Sequence, residues 1–167
     1  MNSTKPVLIG YDGSDAARRA VRETAELFGS RRTLVVTVWE QGLAYETIPM
    51  ATGSMDNPAI APVMASAPVD PEVAEEIDDT LHARAERIAQ DGVVLAKSLG
   101  LQAEGLAVAD EGINVAEAII DVARERDVAA IVIGSRGLTG LRARLEGSTS
   151  SAVLKHSPRP VLTVHED

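Results

Sequence analysis

Short apolar runs alternate with helical stretches along nearly the whole chain, and this rhythm restricts the fold more than any other feature. Val7-Leu-Ile-Gly10, Thr33-Leu-Val-Val-Thr-Val38 and Ala129-Ala-Ile-Val-Ile133 place apolar residues at consecutive positions. A strand with one face in water would alternate apolar with polar; continuous runs imply burial on both faces, as in a parallel sheet between helices. Two further strands are predicted at Gln102 to Val108 and Pro160 to Val164.

Between the strands the period changes to three and four residues. Ala17, Ala20, Val21, Thr24, Leu27 and Phe28 line one face of a helix over Ala16–Phe28, capped by Ser14 or Asp15 and ended by Gly29. A longer helix from Pro71 to Leu99 carries Val73, Ile77, Leu81, Ala85, Ile88, Val94 and Leu95 on one face, with Gly100 closing it. Further helices are predicted at Asn114–Arg126, through Val115, Ala118, Ile119 and Val122, and at Ser148–His156. The 167 residues therefore read as one α/β domain, a five-stranded parallel sheet with helices on both faces. Residues 42–71 interrupt the rhythm with five of the eight prolines and read as a loose surface excursion.

Charge narrows the possible partners. Nine acids and no Lys or Arg lie between Thr33 and Ala83, while the other sixteen acids are balanced by sixteen bases. The net charge of −9 thus sits in one segment, and an anion site has to lie elsewhere. Aromatic residues are 2% of the chain, too few for the stacking platforms of single-strand binders, and the acidity argues against duplex DNA. There is no cysteine, so no disulfide framework, thiolate nucleophile or cysteine zinc site. His82, His156 and His165 are far apart, with no i,i+4 His pair or evident acidic partner, so no metal site is expected. No run reaches the ~20 apolar residues of a membrane span; the N-terminus lacks a signal-peptide core, and the expected location is the cytoplasm.

The chemistry concentrates in residues 134–150, GSRGLTGLRARLEGSTS. Glycines let backbone amides approach a ligand, Ser148 and Thr149 open a helix whose N-terminus favours anions, and Arg136, Arg142 and Arg144 supply positive charge. The stretch is neither a P-loop nor G-x-G-x-x-G. From residue types alone, a phosphate cradle and a plain corner are equally good readings. Its position after the fourth strand favours the cradle, because open parallel sheets bind ligands at the carboxyl ends of their strands.

The spacing Gly134-x2-Gly137-x9-Gly147-Ser148 resembles the ATP-binding motif of the universal stress protein family. Ile9-Gly-Tyr-Asp-Gly-Ser14 is similar to that family's first strand and turn, and Ser157-Pro-Arg-Pro-Val-Leu-Thr-Val164 to its closing strand. The resemblance implies a Rossmann-like fold of the adenine nucleotide alpha hydrolase type, ATP as ligand, and a homodimer formed through Val161–Val164. By the same resemblance Gly10 and Asp12 line the adenine and ribose end, and the Val38 backbone recognises adenine. Gly134, Ser135, Arg136, Gly137 and Gly140 wrap the ribose and first phosphates. Gly147, Ser148 and Thr149 hold the outer phosphates, with room for Mg2+ between phosphate oxygens, and Arg144 makes a direct phosphate contact. The implied role is a nucleotide-dependent regulator in stress response whose protein partner is unknown.

Three alternatives stay open at this point. Asp12 also reads as a turn or helix cap. No general base beyond Asp12 is evident, so the chain is expected to be at most a weak ATPase or self-phosphorylating protein. A dimeric scaffold that binds no nucleotide fits the same pattern.

Overall fold

The computed structural model describes residues 5–41, 70–111, 114–135 and 149–165. Nine elements follow one another: β1 (Val7–Gly10), α1 (Asp15–Phe28), β2 (Arg32–Trp39), α2 (Pro71–Ser98), β3 (Gln102–Ala109), α3 (Val115–Glu125), β4 (Ala130–Ser135), α4 (Thr149–His156) and β5 (Val161–His165). The strands form one parallel sheet in the order β3-β2-β1-β4-β5. The α/β architecture expected from the alternating pattern is the one observed. Most of the expected 42–71 excursion lies outside the described residues.

The apolar runs are continuous because the sheet is covered twice. Val7 and Ile9 of β1 face one core with Ala17, Ala20 and Val21 of α1 and Val93 and Ala96 of α2. Leu8 faces the other, with Ala116, Ile119, Ile120 and Ala123 of α3 and Val153 of α4. The direction in which strands are added to the sheet reverses between β1 and β4: α1 and α2 carry the sheet outward through β2 and β3, and α3 brings the chain back across to β4. Doubly wound sheets bind ligands at this switch point.

β1 is shorter than its neighbours. Its last residue, Gly10, pairs in register with Val36 and Ile133, while β2 continues for three more residues and β4 for two. The rim of the sheet is therefore notched at its centre.

Helix ends follow the expected chemistry. Ser14, rather than Asp15, caps α1 by accepting from Ala17 N–H at 3.2 Å, and Gly29 ends the helix with φ +61°. Asp70 caps α2, Pro71 is its first residue, and Gly100 follows it with φ +88°. Asn114 caps α3 through Glu117 N–H.

The helix faces need correction. Leu27 and Val94, expected inside, are 61% and 60% exposed, and Val73 and Ile77 also face solvent. The buried face of α2 is instead Ala74, Ala85, Ala89, Gly92, Val93 and Ala96. A Cβ on Gly92 would lie 2.7 Å from Val35 Cγ1 and 2.8 Å from Tyr11 Cδ1. Close approach of the backbone, not large side chains, thus seats α2 on the sheet. β4 is also longer than expected: it runs through Gly134 and Ser135, which pair in register with Val164 and His165 of β5.

Candidate functional site

The notch is built from the ends of β1, β2 and β4. Asp12 follows β1 in a tight turn, its Oδ1 accepting from Ser14 N–H at 2.9 Å. That turn sets Ser14 in place to cap α1. Of the two readings of Asp12 the structure shows the turn contact. Gly10 lies beneath, and a Cβ there would meet Ile133 Cγ1 at 3.1 Å and Ile119 Cδ1 at 3.5 Å, so the absent side chain accommodates core packing.

Gly134 brings two elements of the site together. A Cβ at this position would sit 2.4 Å from Ala16 C, 2.5 Å from Ala16 O and 2.8 Å from Ala17 N. The end of β4 can abut the first turn of α1 only because residue 134 is glycine. The start of the glycine stretch and the amino end of α1 therefore share one corner, beside Asp12. Ser135 is half-buried at the strand end, and Thr149 opens α4. Arg136, Gly137, Gly140, Arg144, Gly147 and Ser148 lie outside the described residues.

On the β2 side the hydrogen-bond pattern gives Val38 a particular position. Tyr11 N–H donates to Val36 O at 2.8 Å, the last backbone bond from the β1 segment to β2 among the described residues. The Tyr11 carbonyl accepts instead from the Thr37 hydroxyl, also at 2.8 Å, which ends the ladder. In a strand, alternate residues direct their backbone groups the same way. Val38 therefore directs its N–H and C=O toward the side that Val36 uses, but beyond the end of β1. A donor and an acceptor, side by side, border the notch.

Three residues of this rim have no counterpart in the sequence-based set. Thr37 terminates the ladder. Tyr11 is buried beneath the turn, and its phenol is pushed above the ordinary 10.0, mainly by burial, with Asp91 and Asp12 adding and Arg18 opposing. Asp110, 9% exposed, directly follows β3. Of the three, only Tyr11 lies within a stretch that the sequence singles out, Ile9–Ser14.

His82 differs from expectation in having an acidic neighbour. Its Nε2 is 3.7 Å from Glu86 Oε1, and its ring lies 5.5 Å from that of Trp39. Among the described residues no three His, Cys, Asp or Glu side chains converge as metal ligands. A cleft of about 740 Å³ runs between α2 and β3, lined by His82, Glu86, Arg87, Gln90, Gly105 and Leu106. It contains none of the sequence-predicted residues and borders the outer strand, away from the switch point. The notch, where the strand order reverses and backbone groups lack a neighbouring strand, is the stronger candidate.

Fold and strand order together define a doubly wound α/β protein with its switch point between β1 and β4. The chain belongs to the universal stress protein family, whose model matches residues 3–165. It is 31% identical over 163 residues to a universal stress protein of Thermus aquaticus, covering 96% of this chain and 98% of that one. Among solved structures it resembles a family member from Arabidopsis thaliana with AMP bound, at TM-score 0.61 and 17% identity, covering 98% of this chain and 92% of that one. It also resembles a universal stress protein in complex with cAMP, at TM-score 0.62 and 20% identity, with 98% of each chain covered. At these identities the two structures establish the fold. Among the described residues no helix is long and apolar enough to cross a membrane.

Proposed function

We propose that this protein binds ATP in the notch and acts as a nucleotide-dependent regulator in stress response, as a cytoplasmic homodimer. The observation that carries the reading is the Val38 backbone beyond the end of β1. Adenine offers an acceptor at N1 and a donor at its 6-amino group, which complement one N–H and one C=O on the same strand edge. Guanine presents the opposite polarity at these positions and would set donor against donor.

The remaining site residues fit the rest of the nucleotide. Asp12, Gly134 and Ser135 border the corner where the ribose would lie, with Gly10 in the strand beneath. Arg136, Gly137, Gly140, Arg144, Gly147, Ser148 and Thr149 supply the glycine, hydroxyl and guanidinium groups that phosphates require. The described residues offer no carboxylate cluster for a cation. Mg2+, when bound, would be held by phosphate oxygens, lowering their charge against the protein. The engagement of Asp12 Oδ1 by Ser14 N–H favours a binding role over a catalytic base. The adenine nucleotides bound by the two similar structures support the same ligand class. β5 is an edge strand of the sheet, which supports pairing between copies through Val161–Val164.

Equilibrium titration of ATP against the full chain tests the reading. Binding should be lost in Gly137→Ala and in Gly147→Ala, with thermal stability retained. ATP affinity unchanged in both variants would overturn it.

A further inference from the structure

Beyond Val36, β2 is tied to the β1 segment among the described residues through the Thr37 hydroxyl on Tyr11 O, and past Thr37 the backbone of β2 is held by β3. The register carries Val38 opposite Val108 and Trp39 opposite Ala109, and there the strand pairing ends. One residue makes the next two contacts. Asp110 N–H donates to Trp39 O at 3.0 Å, and Asp110 Oδ1 accepts from Gln41 N–H at 3.2 Å. The carboxylate bond spans the outgoing chain just after it passes Val38. It leaves residues 39–41 held at both ends by one side chain and its own backbone.

From this we infer that Asp110 is a positioning residue for base recognition: it fixes the end of β2 so that the Val38 N–H and C=O face the notch. The inference rests on the nucleotide reading above and adds the residue that sets its selectivity. The burial of Asp110 gives the bond its strength, because a carboxylate that accepts from an amide away from water is costly to displace. Glu111 follows with φ +49°, so the backbone turns away immediately after the contact that Asp110, the residue directly after β3, makes with β2. The side chain need not touch the nucleotide; it acts through the strand it holds.

The discriminating measurement is the ratio of ATP to GTP affinity, taken by calorimetric titration on the full chain. Loss of one part-buried, charge-assisted bond that orients the base edge should weaken ATP about tenfold in Asp110→Ala. GTP, whose base edge does not match Val38, should change little, so the ratio collapses. Asp110→Asn keeps the acceptor and should retain the selectivity of the wild type. If the alanine variant does not fold, Asp110→Glu serves in its place: it moves the carboxylate by one methylene and should lower the ratio while leaving GTP binding unchanged. A parallel fall in ATP and GTP affinity would mean a general structural role and would overturn the inference. So would an unchanged ratio in the variant tested. A wild-type protein that binds no adenine nucleotide would overturn both this inference and the function on which it rests.

Discussion

Replacing Gly134 by alanine tests whether the corner between β4 and α1 is as close as described. The added methyl would lie 2.4 and 2.5 Å from the carbonyl carbon and oxygen of Ala16. Carbon atoms in contact prefer about 3.5–4.0 Å, so the overlap is about 1 Å. The atoms it meets are helix backbone, which no rotamer change can move aside. Relief requires α1 to retreat from β4, loosening Ala16, Ala17, Ala20 and Val21, all buried in the native packing. Overpacking costs about 1–3 kcal/mol where neighbours can yield, and the rigid obstacle here places the expected loss at the upper end, about 3 kcal/mol. For a domain of this size that corresponds to a fall in Tm of roughly 6–12 °C. Urea denaturation followed by circular dichroism would measure it, with Gly10→Ala as the comparison. The Gly10 methyl would meet the side chain of Ile133 at 3.1 Å, a neighbour that can give, so its cost should be smaller. A Gly134→Ala variant within about 0.5 kcal/mol of wild type, or less affected than Gly10→Ala, would refute the reasoning.

Two further outcomes follow from local contacts. Asp127, at φ +46°, receives Lys5 Nζ at 2.8 Å and Arg159 Nη2 at 2.6 Å, and its carboxyl is held below the ordinary 3.8, first by the Lys5 hydrogen bond. Because the folded value is depressed, this stabilisation is present above pH 3.8 and is lost as pH falls through the folded value. Asp127→Asn tolerates the same backbone, so its urea midpoint should lie below wild type at neutral pH and converge with it below that value; a constant gap would contradict the assignment. Ser14→Ala removes the acceptor for Ala17 N–H and should cost about 1 kcal/mol in the same assay, with Ser14→Asp restoring it; equal stability of the alanine and aspartate variants would contradict the cap.

The sheet was legible because its signal is carried by whole runs. Leu8, Ile9, Val35, Val36, Ile131 and Val132 are buried wherever the register falls, so small errors in strand boundaries changed nothing. The helix faces were less legible. Reading α2 by its largest apolar residues selected Val94 and passed over Gly92, whose lack of a side chain is what the packing uses. Periodicity weighted by hydrophobicity does not register a helix seated by small residues. The site divided along the same line. Gly134 stood out as part of a spacing, yet its closeness to Ala16 is a contact between residues far apart in sequence. Thr37 and Asp110 carried no motif, because their roles are hydrogen bonds to backbone groups that only the assembled sheet brings near.

The shortness of β1 has a consequence for how such a protein could change over generations. Its neighbours extend past Gly10 on both sides, and the Thr37 hydroxyl occupies the carbonyl that would otherwise carry the ladder outward. Two more residues of extended chain after Gly10 would pair with Val38 and fill the rim. No chemical group would be lost, only a gap. Insertions near Tyr11 and substitutions at Thr37 are therefore changes of length and edge rather than of chemistry, and they could silence the rim while every glycine of the motif stayed in place.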